Sequence, residues 1–288
     1  MPTLREIRSR IQSVQKTEKM TAALKIVSTV KVRNAQMALF ASRPYAYRLK
    51  EMIRQLVSHE APEAHPLLSG RKEKHVIITV LTSDKGLCGS FNHQIIRYAE
   101  KLADERLHAG EDVALICIGR KGWDFFRSRG YRIIGEYINF YRDISFHNAQ
   151  EIGALLISRF LHETMDRVEM VYNEFKNVAQ QRVTNTVLLP LQGLEPAQTR
   201  DEGIPFIFEP NRKEILDRLL PLYLNIEIWH ILQESIASEH GARMTAMDLA
   251  TRNCQDMIEQ QTLFYHKARQ AAITRELIDI VGAVESIS

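Results

Sequence analysis

At the start of the chain, apolar residues recur at Leu4, Ile7, Ile11 and Val14, in alternating steps of three and four. That spacing lines one face of a helix and marks a coiled-coil seam. Continued in register, the seam passes through Glu18, Thr21, Lys25, Ser28, Val32, Ala35 and Leu39, so it thins to small and polar residues between 17 and 31. No Gly or Pro interrupts residues 3–43, and the pattern predicts one long helix from Pro2 to about Val57. Proline removes a helix hydrogen bond, so a bend is expected at Arg43-Pro44. The stretch 58–74, with two prolines and a glycine, reads as a loop.

The period changes at His75. "HVIITVLTS" is almost continuously apolar, as in a strand buried on both faces. A helix is predicted over His93–Leu107, a second buried strand in "DVALICIGR" (112–120), a short helix over 121–129 and a strand in "YRIIGEY" (131–137). A helix over Asn148–Met165, a strand in "RVEMVYNEF" (167–175) and an edge-like strand in "RVTNTVLLP" (182–190) complete the set. Strand, helix, strand repetition implies a mainly parallel sheet flanked by helices, a Rossmann-like α/β domain.

A third pattern begins near Glu209. Helical signals starting in "EPNRKEILDRLL" run on to Ser288, with Pro221 expected to break or kink the helix early. At about 1.5 Å per residue such a helix reaches on the order of 100 Å, more than an ordinary domain spans. A seam can be drawn through Met247, Ala250, Cys254, Met257, Phe264, Ala268, Ala271 and Ile278, interrupted by Gln261 and Arg275. The last stretch is apolar on most sides: Ile273, Leu277, Ile278, Ile280, Val281, Val284 and Ile287.

Two long helices with incomplete seams are poorly stable alone, and antiparallel pairing buries both. The expected fold class is α/β: a long antiparallel coiled coil of the N- and C-terminal helices plus a central, mainly parallel, Rossmann-like domain. The expected boundaries are 1–57, 75–208 and 211–288. The C-terminal helix is the longer, so its apolar tip overruns its partner and calls for a protein sleeve.

Charge sharpens that picture. The net charge of the 288 residues is only +3, yet residues 1–58 hold 12 Lys/Arg against 3 Asp/Glu. Such a segment suits nucleic acid, an anionic membrane or an acidic protein surface. The absence of aromatics before Phe40, together with the seam, favours protein over nucleic acid. No apolar run reaches the roughly 18 residues of a membrane span. The amphipathic N-terminus lacks a signal-like apolar region and runs straight into the helix pattern, so no cleaved leader is expected. Cys88, Cys117 and Cys254 are far apart, and the ten histidines are scattered, so neither a disulfide framework nor a metal site is expected.

The most site-like stretch is "TSDKGLCGSFN" (82–92), a glycine-bearing turn between a strand and a helix. Its spacing fits neither GxxxxGK[ST] nor GxGxxG, so no nucleotide cofactor is expected. A nucleophile elbow, GxCxG, would need a glycine where Ser90 stands, and a Cys88 nucleophile would need a base; His147 and His162 are the available candidates. A buried thiol in a tight turn opened by Gly86 and Gly89 is the favoured reading. Glu276 and Asp279 read as a solvated or partner-facing pair, and Trp123-Asp-Phe-Phe as helix packing.

Three blocks together resemble the γ subunit of the F-type ATP synthase, bacterial type: Leu4–Gln36, the 82–92 stretch, and Ser238–Gly282 with "SEHGARMTAM" and "YHKARQAAITRELIDIVG". The resemblance covers essentially the whole chain. It implies a rotary central stalk with no active site and no cofactor. Its coiled coil would turn inside a hexamer of α and β subunits. Its α/β domain would meet the ε subunit and the membrane ring of c subunits. Rotation would then couple proton or sodium flow to ATP synthesis or hydrolysis on β. The implied location is peripheral, on the cytoplasmic face of the bacterial inner membrane. The resemblance also implies contacts with β: Leu24 and Cys88 near an acidic lever, and Arg243 and Gln270 at a catch loop. The chain departs from the family pattern at Ala22, Ile26–Lys31 and Ala283-Val284, and the short, cysteine-free 190–210 stretch lacks the chloroplast regulatory insert. An α/β enzyme with a Cys88 nucleophile and a basic helical adaptor for nucleic acid are the alternatives.

Overall fold

A computed structural model describes residues 3–57, 65–140, 144–162, 165–178, 180–194, 209 and 211–285. The first part of the 58–74 loop, residues 58–64, the stretch 195–208, and the side chains of Asp279, Ala283 and Val284 lie outside the described residues. The elements are α1 (Leu4–Val57), β1 (His75–Leu81), α2 (Phe91–His108), β2 (Asp112–Ile118) and α3 (Arg120–Ser128), then β3 (Ile133–Tyr137), α4 (Phe146–Leu161), β4 (Arg167–Phe175), β5 (Gln181–Leu189) and α5 (Arg212–Glu285). They divide into two compact units, one spanning Thr29–Ala242 and one formed by the chain up to Ser28 with the chain from Arg243 onward. Helices α1 and α5 contribute to both.

In the first unit the strands lie in the order β3-β2-β1-β4-β5, parallel except for the antiparallel β4–β5 pair. The continuous apolar runs of β1, β2 and β4 are buried on both faces. One face packs on α1, α4 and α5 through residues such as Ile53, Ile77, Ile116, Leu156 and Leu224. The other packs on α2 and α3 through Ile78, Leu115, Ile95 and Phe126. Near β1 and β4, an ion network joins Arg106 to Glu73 at 2.7 Å, to Glu111 at 3.1 Å and to the fully buried Glu169 at 2.5 Å. Arg167 bridges the same Glu73 and Glu169.

Neither proline ends its helix: α1 runs through Pro44 and α5 through Pro221. The sequence expectation counted one lost hydrogen bond, a cost of about 3 kcal/mol. It did not count the core residues close to each proline. Leu49, Ile53 and Leu56 follow Pro44, and Leu216, Leu220 and Leu224 bracket Pro221, all buried in the same cluster. Their burial, at about 1.5–3 kcal/mol per side chain, outweighs the break. Helix α4 stops at Leu161 rather than Met165, which is buried just before β4.

The second unit is an antiparallel helix pair. A capping box starts α1: the Glu6 carboxylate accepts the Thr3 N–H at 2.8 Å, and the Thr3 hydroxyl accepts the Glu6 N–H at 3.3 Å. Across the pair, Gln255 donates to Glu18 at 2.9 Å, Thr21 meets Thr251 at 2.8 Å, and Lys25 bridges Asp248 at 2.5 Å. Numbers rise on one helix as they fall on the other, and the predicted α1 seam is buried or half-buried at every position from Leu4 to Leu39. The α5 seam needs correction. Its Met247, Ala250, Cys254 and Ala268 positions hold, with Thr251 half-buried beside Ala250, but further along Ile258, Tyr265 and Ala272 take the place of Met257, Phe264 and Ala271, one residue beyond the predicted set. Met257, Phe264 and Ile278 are exposed. The drawn stripe turned onto the outer face at Met257, Phe264 and Ala271. The partner's polar α1 positions instead select residues that hydrogen-bond across, such as Thr251.

Candidate functional site

The 82–92 stretch sits at the C-terminal edge of the parallel strands, where open α/β folds bind ligands beside helix N-termini. Here that edge is filled by the chain itself. The first three backbone N–H groups of α3 already have acceptors: Arg120 donates to Asp84 Oδ1 at 3.0 Å, Lys121 to the Ser83 carbonyl at 3.1 Å, and Gly122 to Thr82 Oγ1 at 2.8 Å. Asp84 Oδ1 also accepts the Asn139 N–H at 2.9 Å. The carboxylate stands where a phosphate would otherwise be held.

Cys88 is 2 % exposed. Asn92 Nδ2 donates to its sulfur at 3.2 Å, the Ser83 hydroxyl lies 3.7 Å away, and the thiol points at the Lys85 carbonyl at 3.9 Å. None of these groups is a general base, so the cage packs a thiol rather than activating one. Ser83 and Asn92 close it: the Ser83 N–H donates to Asn92 Oδ1 at 2.9 Å, and Asn92 Nδ2 donates to Ser83 Oγ at 2.7 Å. Gly89 takes the left-handed turn, at φ 58°, as expected. The second left-handed residue is Leu87, at φ 63°, and not Gly86. Cys117 is a second buried thiol. Burial, aided by Glu136, pushes its pKa up to about 12, which makes it inert at neutral pH.

Leu24, Arg243 and Gln270 belong to the helix-pair unit and Cys88 to the sheet unit. Leu24 is half-buried, Arg243 is 8 % exposed and Gln270 faces solvent. The outward face of the helix pair is carried instead by residues off the seam: Met20, Ile26 and Val27 on α1, and Leu249, Met257, Leu263 and Phe264 on α5. Met20, Ile26, Val27, Leu249 and Leu263 are visible in the sequence as apolar residues outside the heptad stripes, whereas Met257 and Phe264 fall on the predicted α5 stripe. Beyond Arg269 the α1 register has run out, since Leu4 comes level with about that residue when the Glu18–Gln255 pairing is extended. Ile273, Leu277, Ile278, Ile280 and Val281 are all exposed.

The paired stretch is tuned by charge. The Lys25 hydrogen bond, with Arg252 beside it, holds the Asp248 carboxyl below its usual value. Further along α1, Arg5, Arg8, Arg10, Lys16 and Lys19 point to solvent. Among the described residues no group of three His, Cys, Asp or Glu could hold a metal ion, and no helix is long and apolar enough to cross a membrane. The sheet unit has a groove of about 620 Å³ lined by His65, Arg71, Ile157, Leu161, Lys213 and Asp217 among others. His65 there is held neutral by burial, though its Nε2 lies 3.1 Å from Asp217.

A family model described as ATP synthase matches residues 3–287. The ATP synthase gamma chain of Chlorobium phaeobacteroides is 42 % identical, with 100 % of this chain and 99 % of that protein covered. The ATP synthase gamma chain of Chlorobaculum tepidum is 40 % identical over the same shares. Among solved structures, a chain of the Tetrahymena thermophila mitochondrial ATP synthase central stalk and c-ring matches with a TM-score of 0.61 at 26 % identity, covering 80 % of this chain and 99 % of that one. A chain from the rotor of the Euglena gracilis mitochondrial ATP synthase matches with a TM-score of 0.66 at 15 % identity, over 94 % and 98 % of the two chains, a likeness of fold.

Proposed function

This chain belongs to the ATP synthase gamma-chain family, and on that premise we propose that it is the central rotor stalk of an F-type ATP synthase. Its helix pair turns inside a hexamer of α and β subunits. Its sheet unit meets the ε subunit and the membrane ring of c subunits. Rotation presents a different face of the pair to each β subunit and so biases each toward a different conformation. The stalk does no chemistry of its own and acts by coupling ion flow to ATP synthesis or hydrolysis on β. Its place is peripheral, at the cytoplasmic face of a bacterial inner membrane.

The observation that carries this reading is the overrun of α5 past α1, with five large apolar residues, Ile273 to Val281, left in solvent. An apolar helix end of that kind requires a sleeve. Leu24, Arg243 and Gln270 are the proposed contacts with β on the pair. At the 82–92 loop Cys88 is enclosed, so Lys85 and Leu87, which is 63 % exposed, carry the contact proposed there. The Cys88-enzyme reading is disfavoured because Ser83, Asn92 and the Lys85 carbonyl, which pack against the thiol, are not general bases, and the adaptor reading leaves the apolar tip unexplained.

The test is co-expression with α, β and ε subunits. The chain is expected to co-purify with them and to have no ATPase activity alone. Replacing Leu277, Ile278 and Ile280 together by Ser is expected to leave the melting of the isolated chain unchanged while lowering the ATP hydrolysis rate of the assembled head. Equal rates would refute the role of the tip.

A further inference from the structure

A rotor must hold its shaft helix firmly to the unit that receives torque. Where β4 outruns β1, the structure has a built contact for this. Pairing of β1 with β4 ends at Val80 and Val171. Two residues further along β4, the Asn173 carbonyl accepts a hydrogen bond from the Ser238 hydroxyl of α5 at 2.9 Å, and Ser238 is fully buried. Immediately before Ser238, Ile236 and Ala237 close a small apolar cluster with Ala35 and Leu39 of α1, against Phe175 at the end of β4. Three residues after Ser238, Gly241 lies on the β4–β5 hairpin. A Cβ built there meets the Phe175 ring at 3.4 Å, Gln181 Nε2 at 3.5 Å and the Val178 carbonyl at 3.7 Å. A methyl group fits those distances, but the branches of a valine, reaching about 1.5 Å further, do not. The contact is therefore apolar at Ile236 and Ala237, polar at Ser238 and space-limited at Gly241, within six consecutive residues of α5.

We propose that Ile236–Gly241 is the seat by which the sheet grips the shaft helix, with Ser238 and Gly241 as its positioning residues. The proposal rests on the rotor reading. The seat occupies the last residues of the sheet unit, immediately before Arg243 begins the helix-pair unit. A helix held by its backbone alone transmits torque through one strand of material. The seat adds a hydrogen bond and a packed hairpin, which resist twisting of α5 against β4. Ser238 acts through the Asn173 carbonyl and Gly241 through close approach, so neither touches a nucleotide or an ion.

The experiment uses the complete assembled enzyme, with the catalytic head fixed and the angular fluctuation of the ring end followed in single molecules. Ser238→Ala removes one hydroxyl and adds no volume. Its mean-square fluctuation is expected to rise by about twofold, the loosening that follows loss of one of few buried contacts between two elements. Gly241→Val is expected to raise it at least as far, and Gly241→Ala to leave it at the wild-type value. Subunit composition and ATP hydrolysis by the detached head are expected to be unchanged in Ser238→Ala. Wild-type stiffness in Ser238→Ala overturns the proposal, even if the variant melts at a lower temperature, because a purely structural role shifts melting alone. If Gly241→Val does not assemble, Ser238→Ala decides by itself. Failure of the rotor reading would look different: the unaltered chain would not join the complex or turn within it.

Discussion

At the residue scale, the structure turns on a few backbone positions and buried polar groups. Gly119 has φ +96°, and a Cβ there would fall 1.9 Å from the Thr82 carbonyl oxygen. Gly119→Ala therefore adds both strain and a clash with backbone, and is expected to destabilise the chain by about 3 kcal/mol, read by denaturant unfolding. Asn173 presents the opposite case. Its carbonyl is used by Ser238, but neither amide atom of its buried side chain finds a partner among the described residues. Asn173→Leu keeps similar volume and the same backbone carbonyl while deleting an unpaired buried amide. It is expected to raise stability by about 1–3 kcal/mol, seen as a higher Tm; a lower Tm would mean that the amide is satisfied.

At the element scale, the informative contrast is between the two faces of α5. Ile258 and Tyr265 lie half-buried on the seam, whereas Phe264 is exposed beside them. In the isolated chain, Ile258→Ala and Tyr265→Ala are each expected to cost about 1–3 kcal/mol, and Phe264→Ser within about 0.5 kcal/mol. The reverse order would restore the seam drawn from hydrophobicity alone. That seam failed for a physical reason. Two-helix pairing is decided by what lies opposite, and around Thr21 and Lys25 the opposite residues are polar. The start of α1 was legible because Leu4, Ile7, Ile11 and Val14 leave one choice of face. The tight turn around Cys88 was legible from Gly89, which takes the left-handed conformation. That Asp84 fills the end of α3 was not, because Asp84 and Arg120 are distant in sequence.

At the scale of the whole molecule, acid sensitivity follows from the carboxylates that tie the strand starts together. Burial works against the Glu73 carboxylate, but hydrogen bonds from Arg106 and Arg167 outweigh it and hold its pKa below the ordinary 4.5. Asp166 is likewise opposed by burial but lowered, by the backbone N–H groups of Lys74 and His75. A carboxylate with a depressed folded pKa adds stability that is complete above its unfolded value and is lost as pH falls through the folded one. Tm is therefore expected to fall as pH drops below the ordinary carboxylate values. Glu73→Gln should melt below the wild type at neutral pH, with the gap closing toward about pH 3. A gap that stays constant would assign Glu73 a packing role only.

Periodicity by itself determined the two terminal helices, the alternating α/β middle and the need for a partner at an apolar tip. Those properties are local: each is set by residues within a few turns or one strand, where the spacing of apolar side chains dictates which face is buried. The matched family blocks then pointed to the stalk. Tertiary structure alone decided the rest. It carried both helices through their prolines, because core residues near Pro44 and Pro221 meet partners far along the chain. It moved three positions of the α5 seam, those at Met257, Phe264 and Ala271, by one residue, buried Cys88 while leaving Leu87 outside, and seated Ser238 on a carbonyl 65 positions away. Each of those outcomes depends on which surfaces meet, a property of two segments together that neither segment encodes by itself.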